Sequence, residues 1–404
     1  MDNPYSIAAV WMGLAFAAAM IAGWTGISVS LIEILVGVAA GNAFHLGSNE
    51  WITFLAGFGS GLLTFLAGAE IEPAVIRRNW RSTFSIGVIA FLLPFLGVLA
   101  YVYLVAGWNF RQSEIAGIAL STTSVAVVYA VMVETGFNET DLGKIILAAC
   151  FINDLGTVLA LGFLFASVNW YLLAFVLATA AVLPVAPRAT RWVIANTKGR
   201  VSEPEVKFVF FMMFALGGIA SAGGSEPILP AYLIGMVLAG TFLRERVLVQ
   251  RMRTTAFSIL TPFYFIRAGT LVALSAMAAS IGIIAILLGM KMATKFVGVR
   301  PLTVAFHFPQ REAMYTTLLM STGLTFGTIS ALFGLTHGVI DQDKYTVLVT
   351  VVILSAFVPT LIAQQFFKPN LAEHMAARQA EGGDASVPAA QAPRLRPAES
   401  VEGV

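Results

Sequence analysis

The chain has 404 residues, of which 58% are hydrophobic and only 11% charged, with a mean hydropathy of +0.83. A soluble protein carries about 25% charged residues, so a water-soluble globule is excluded. One cysteine rules out a disulfide framework and a cysteine-based zinc site, and 24 basic against 22 acidic residues give no excess charge for binding nucleic acid. The composition is that of a polytopic membrane protein.

A bilayer core needs about 20 apolar residues per helix. Thirteen such segments lie near 6–23, 28–45, 52–70, 84–106, 115–134, 144–166, 169–186, 206–222, 228–243, 255–275, 278–299, 313–334 and 344–366. Alternating-strand patterning is missing, which excludes a β-barrel and predicts an all-α fold. The first segment begins Met1-Asp2-Asn3-Pro4 with no basic flank, so it reads as a permanent span, not a signal peptide. With the N-terminus outside, 19 of the 24 basic residues fall in cytoplasmic loops and the tail, and only Arg111 and Lys344 fall in outside loops. That asymmetry predicts an N-out, C-in topology. A basic loop over 187–207 divides the segments into six plus a linker and six, the arithmetic of an inverted-repeat transporter. Residues 369–404, rich in Ala, Pro, Gln and Glu, read as a disordered cytoplasmic tail.

Charges inside spans are costly and are functional candidates by default. In chain order they are Glu33, Glu70 near a helix end with Glu72, Asp154, Arg267, Lys291 and Lys295. Gly37/Gly41 and Gly57/Gly61 have the GxxxG spacing of close helix packing. The fifth segment carries Ser121-Thr122-Thr123-Ser124 at mid-depth, which reads either as a helix turn satisfied by its own hydroxyls or as an unwound stretch offering oxygens to a cation. Asp154 lies mid-span in the sixth segment beside Asn153, with Cys150 one turn earlier as a small apolar filler. Arg267 interrupts the tenth segment together with Pro262, and its alternative reading is a structural partner of an acid. Lys291 and Lys295 share a face of the eleventh segment, and Lys295 is near enough to the cytoplasmic end to snorkel. The twelfth segment reads Ser321-Thr322-Gly323-Leu324-Thr325-Phe326-Gly327-Thr328, as polar as the fifth and in the matching place of the second repeat. Paired interrupted helices of this kind point to a transport site.

Together these segments resemble the monovalent cation:proton antiporter superfamily, in the branch of bacterial Na⁺/H⁺ and Kef-type K⁺/H⁺ antiporters. The resemblance rests on Thr122-Thr123-Ser124 followed by Phe151-Ile152-Asn153-Asp154, and is supported by Phe65 through Glu70, Pro262 through Gly269, and Lys295 through Gly298. It implies a membrane domain over 1–368 with core transport helices near 84–166 and 278–366, the remainder forming a dimerising scaffold. It implies two crossed discontinuous helices, Asp154 as carrier carboxylate, Thr123 and its neighbours Thr122, Ser124 and Asn153 as the cation and proton site, and Lys295 as counter-charge. Glu70, Arg267, Thr322 and Thr325 are supporting candidates. Electrogenic members carry two adjacent aspartates where this chain has Asn153-Asp154, and Arg267 stands where the family has a small or apolar residue.

The expectation is a secondary antiporter of the inner membrane, a homodimer exchanging Na⁺, K⁺ or Li⁺ for H⁺, with no cofactor and no nucleic-acid partner. One carboxylate at the site predicts one-for-one, electroneutral exchange. The competing readings are a Na⁺-coupled organic-solute symporter and a passive cation channel. Intramembrane enzyme chemistry lacks its motifs, since neither GxSxG nor HExxH occurs.

Overall fold

The computed structural model describes residues 3–371 except 26, 45, 47, 48, 70–72, 166–169, 198, 199, 201, 224–227 and 273. Every regular element among these residues is helical, because a chain in lipid must satisfy its backbone groups internally. The first repeat comprises α1 (Pro4–Thr25), α2 (Val29–Ala43), α3 (Glu50–Ala69), the short α4 (Pro73–Arg78), α5 (Trp80–Leu104), α6 (Phe110–Ser121), α7 (Val125–Thr135) and α8 (Asp141–Phe165). α9 (Trp170–Thr197) follows as the connector. The second repeat comprises α10 (Pro204–Ala222), α11 (Ile228–Phe242), α12 (Arg246–Thr255), α13 (Thr261–Thr270), α14 (Leu274–Ala279) and α15 (Ile281–Ala305). It ends with α16 (Gln310–Met320), α17 (Thr325–Thr336) and α18 (Gln342–Phe366). Ten stretches are long and apolar enough to cross a membrane, α6–α7 and α16–α17 each counting as one, and α2 and α11 are shorter apolar helices.

The repeats interlock through glycines. α2 lies against α13 so closely that a Cβ on Gly37 would stand 2.1 Å from the Ile266 carbonyl oxygen, and one on Gly269 2.1 Å from that of Ile34. α3 lies against α11 in the same way: a Cβ on Gly68 would meet the Tyr232 oxygen at 2.6 Å, and one on Gly235 the Phe65 oxygen at 2.2 Å. α2 of the first repeat thus packs on α13 of the second, and α11 of the second packs on α3 of the first.

Three expectations change. Gly57 faces open space and Gly61 meets only the Met213 methyl at 4.0 Å, so this GxxxG is not a packing seam; Gly59, with the Leu260 oxygen 2.6 Å from its would-be Cβ, faces the neighbour instead. The stretch after 186 is not a loop, since α9 continues through Pro184 and Pro187 to Thr197. Arg188 and Arg191 donate to the Pro184 and Pro187 carbonyls, so the helix outlasts its apolar face. The tenth segment is not one straight helix either: a π-turn at Ala256–Leu260 separates α12 from α13, and Pro262 sits in the first turn of α13. The expectations for Glu70 and for residues 372–404 of the tail fall outside the described residues.

Candidate functional site

Two helices break in mid-course and their breaks meet. α6 stops at Ser121, where the Ser121 and Thr122 hydroxyls donate to the Ile118 and Ala119 carbonyls at 2.8 and 3.1 Å and satisfy two acceptors of the last turn. After extended residues, Ser124 restarts the chain as N-cap of α7, its Oγ accepting from the Val127 N–H at 3.4 Å. α16 stops at Met320 in the same fashion, with Ser321 and Thr322 donating to the Thr317 and Leu319 carbonyls, both at 2.8 Å. α17 then starts at Thr325 behind Leu324, which supplies no side-chain cap. The breaks are tied by Thr123 Oγ1 donating to the Met320 carbonyl at 2.8 Å, and by Ser124 Oγ lying 3.4 Å from Thr325 Oγ1.

α8 delivers Asn153 and Asp154 to this crossing. Asn153 is a clasp: its Oδ1 accepts from the Thr123 N–H at 2.8 Å and its Nδ2 donates to the Ser121 carbonyl at 3.2 Å. Both ends of its amide are therefore spent on the broken backbone of α6–α7. Asp154 is 4% exposed, and among the described residues its Oδ1 is buried with no hydrogen-bond partner. A buried polar atom left without a partner costs about 1–3 kcal/mol.

α15 brings both lysines inside. Lys295 does not snorkel: it is 0% exposed, and its Nζ donates to Thr123 Oγ1 at 2.8 Å. It makes no ion pair with Asp154 within 4.0 Å, although the two interact electrostatically. Lys291, one turn away, is also 0% exposed and its Nζ has no hydrogen-bond partner among the described residues. It reaches the break of α16–α17, where a Cβ on Gly323 would stand 2.2 Å from Nζ, 3.1 Å from Ser355 Oγ and 3.2 Å from Thr122 Oγ1.

Of the residues singled out from sequence, Thr122, Thr123, Ser124, Asn153, Asp154, Lys295, Thr322 and Thr325 converge on the crossing. Arg267 does not join them through any hydrogen bond: its Nε is buried without a hydrogen-bond partner, and no carboxylate lies within 4.0 Å among the described residues. Cys150 fills space beside Met320, sulfur to sulfur at 3.6 Å. Sequence reasoning passed over two tyrosines. Tyr232 of α11 stacks on Phe151 with ring centroids 4.2 Å apart, its hydroxyl donating to the Leu147 carbonyl at 3.4 Å. Tyr264 of α13 shares a hydrogen bond of 2.5 Å with Thr325 Oγ1. A phenol in an otherwise apolar segment was the available signal for each.

Among the described residues no three His, Cys, Asp or Glu side chains gather as a metal cluster; the crossing brings together one carboxylate, two lysines, hydroxyls and the backbone of two broken helices. The family model described as "Sodium/hydrogen exchanger, transmembrane" matches residues 12–368. The chain belongs to this sodium/hydrogen exchanger family. It is 23% identical over 84% of its length to a Methanocaldococcus jannaschii protein described as "Probable Na(+)/H(+) antiporter 3", covering 89% of that protein. The Bacillus cereus "Na(+)/H(+)-K(+) antiporter GerN" is 24% identical over 83% of this chain and 89% of its own. The fold matches the sodium proton antiporter MjNhaP1 from M. jannaschii with a TM-score of 0.65, at 16% identity and over 90% of this chain and 99% of that one. This exchanger-family chain is thus a multi-pass membrane protein with the architecture of a cation/proton antiporter.

Proposed function

We propose that the chain exchanges Na⁺ or K⁺ for H⁺ by alternating access, with Asp154 as the group that holds either the cation or the proton. The observation that carries this reading is the buried, unpartnered Asp154 Oδ1 beside two broken helices. A hard monovalent cation seeks oxygen ligands, and Thr122, Thr123, Ser124, Thr322 and Thr325 place hydroxyls at the same crossing. Lys295 is the counter-charge of the empty site, and the Asn153 amide keeps the unwound segment in shape. Glu70 and Arg267 stay outside this reading.

Asp154 cannot bind both ligands at once, so they compete. Bound to either, the site carries the same charge, and exchange is one-for-one and electroneutral. α5 through α8 with α15 through α18 form the moving core, and the remaining helices form the scaffold through which two copies pair. In this reading the C-terminus lies in the cytoplasm, as the bias of basic residues supports, and the membrane is the inner membrane. The work is transport, not bond-making catalysis.

The test is reconstitution into proteoliposomes with a pH-sensitive dye, titrating Na⁺, K⁺ and Li⁺ in turn. Cation-driven proton flux that competes with pH and ignores a valinomycin–K⁺ potential is the expected result, with Na⁺ as the transported ion. Asp154→Asn should abolish it while leaving the protein folded; near-parental flux in that variant would sink the assignment.

A further inference from the structure

The two half-helix starts at the crossing are held in unlike ways. α7 begins with its own cap, Ser124, whose side chain accepts from Val127 N–H. α17 begins behind Leu324, which caps nothing. A helix start carries about half a positive charge and leaves N–H groups unsatisfied, so an uncapped start beside a second start is a weak point in the frame. An outside residue holds the side chain at that start. Tyr264, buried on α13, reaches across to Thr325 Oγ1 at 2.5 Å, and Thr325 Oγ1 in turn lies 3.4 Å from Ser124 Oγ. α13 is itself packed backbone to backbone on α2 at Gly269, so the phenol is carried on a helix closely seated against its neighbour. Without that anchor the Thr325 hydroxyl, on the first residue of α17, has no preceding turn of its own helix to bond back to and is free to rotate.

We propose that Tyr264 is a positioning residue for cation binding: its hydroxyl fixes Thr325, and through Thr325 it fixes Ser124, so that the oxygens at both helix starts are aimed into the crossing. The inference deepens the antiporter reading and rests on it. Tyr264 touches no transported ion in this scheme. It acts on affinity by removing the rotational freedom of two hydroxyls before the ion arrives, which is the general gain of preorganisation.

The experiment compares the parent, Tyr264→Phe, Thr325→Val and the double variant in proteoliposomes, with Na⁺ or K⁺, whichever drives flux in the parent. Tyr264→Phe keeps the ring and its packing. It should raise the half-saturating cation concentration three- to tenfold while maximal rate stays within about twofold. Thr325→Val should lose at least as much, because it also removes a hydroxyl of the site and the partner of Ser124, and the double variant should match Thr325→Val, because Tyr264 acts through Thr325. An unchanged half-saturation in Tyr264→Phe, a fall in maximal rate alone, or additive losses would overturn the proposal. If a variant yields too little protein for flux, cation-induced thermal stabilisation of purified protein reads the same quantity: a shift smaller than the parent's supports the proposal, and an equal one overturns it. A parent that shows no cation-driven proton flux counts against the antiporter reading itself, a result separate from any comparison among variants.

Discussion

The ammonium of Lys291 occupies the room that a side chain at Gly323 would need: a Cβ there would stand 2.2 Å from Nζ. Glycine at the centre of the α16–α17 break is therefore set by a lysine on another helix. The obstructing atom is the tip of a flexible side chain, so Gly323→Ala should fold with Lys291 displaced. Overpacking of this kind costs about 1–3 kcal/mol. In melting experiments on purified protein, Gly323→Ala should be destabilised in the parent background and have little effect added to Lys291→Ala. Equal penalties in both backgrounds would show that the two positions do not compete for space.

Asn153 offers a test that separates frame from charge. Asn153→Ala orphans the Thr123 N–H and the Ser121 carbonyl, and each orphaned buried partner costs about 1–3 kcal/mol. The melting temperature should fall and exchange with it. Asn153→Asp keeps the acceptor for Thr123, loses the donor to Ser121 and sets a second carboxyl beside Asp154. Its exchange should begin to respond to an imposed valinomycin–K⁺ potential, because a second proton can now join the cycle. A variant that remains indifferent to the potential would show that the added carboxyl carries no proton through it.

The helix seams predict a contrast between two glycines. Gly269→Ala would push a methyl into the backbone of α2, 2.1 Å from the Ile34 oxygen, where nothing flexible can yield. Folded yield should drop sharply, with a loss of at least the 1–3 kcal/mol, roughly, expected of overpacking. Gly57→Ala meets nothing within 4 Å and should be neutral or slightly stabilising in the same thermal assay. The reverse order would mean that α2 and α13 are not seated as described.

Asp341, the N-cap of α18, lies outside the span, and the Lys344 ammonium and N–H hold its carboxyl below the usual carboxylate range. A carboxyl depressed in the folded state adds stability above its unfolded value, about 3.9, and loses it as pH falls through the folded value. Above pH 5 or so its charge is constant. Asp341→Asn should accordingly leave the pH profile of exchange unmoved between about pH 6 and 9. A shifted midpoint in the flux assay would show that this end of α18 feeds the site.

Much of this arrangement was legible in the sequence, and the reasons differ by feature. Apolar length exposed the spans because a bilayer demands it, and the Ser/Thr runs at 121–124 and 321–328 exposed the breaks because hydroxyls compete with the helix backbone. The burial of Lys295 was open, since distance along a helix does not say whether a lysine bends outward or meets a Thr123 on a crossing segment. Lys291 over Gly323 and Tyr264 on Thr325 are meetings between residues 32 and 61 positions apart, for which no local pattern exists. The Gly57/Gly61 spacing misled because spacing marks a helix face without saying what the face meets. α9 outran its apolar segment because hydropathy reports contact with lipid and not the persistence of a helix.

The interlocked seams also set the order in which the chain can be made. Asn42, at the end of α2, donates to the Val272 carbonyl at 2.7 Å and accepts from the Leu274 N–H at 2.9 Å, partners some 230 positions downstream. A ribosome adding about 5–20 residues per second takes on the order of 10–50 s to reach them. Until then the Gly37 face of α2 lacks the α13 backbone that it meets in the finished fold. α3 waits likewise for α11. Neither repeat can close its own interior, so a chain halted after α9 would remain an open bundle, and two halves cut between α9 and α10 would have to be synthesised together to find each other.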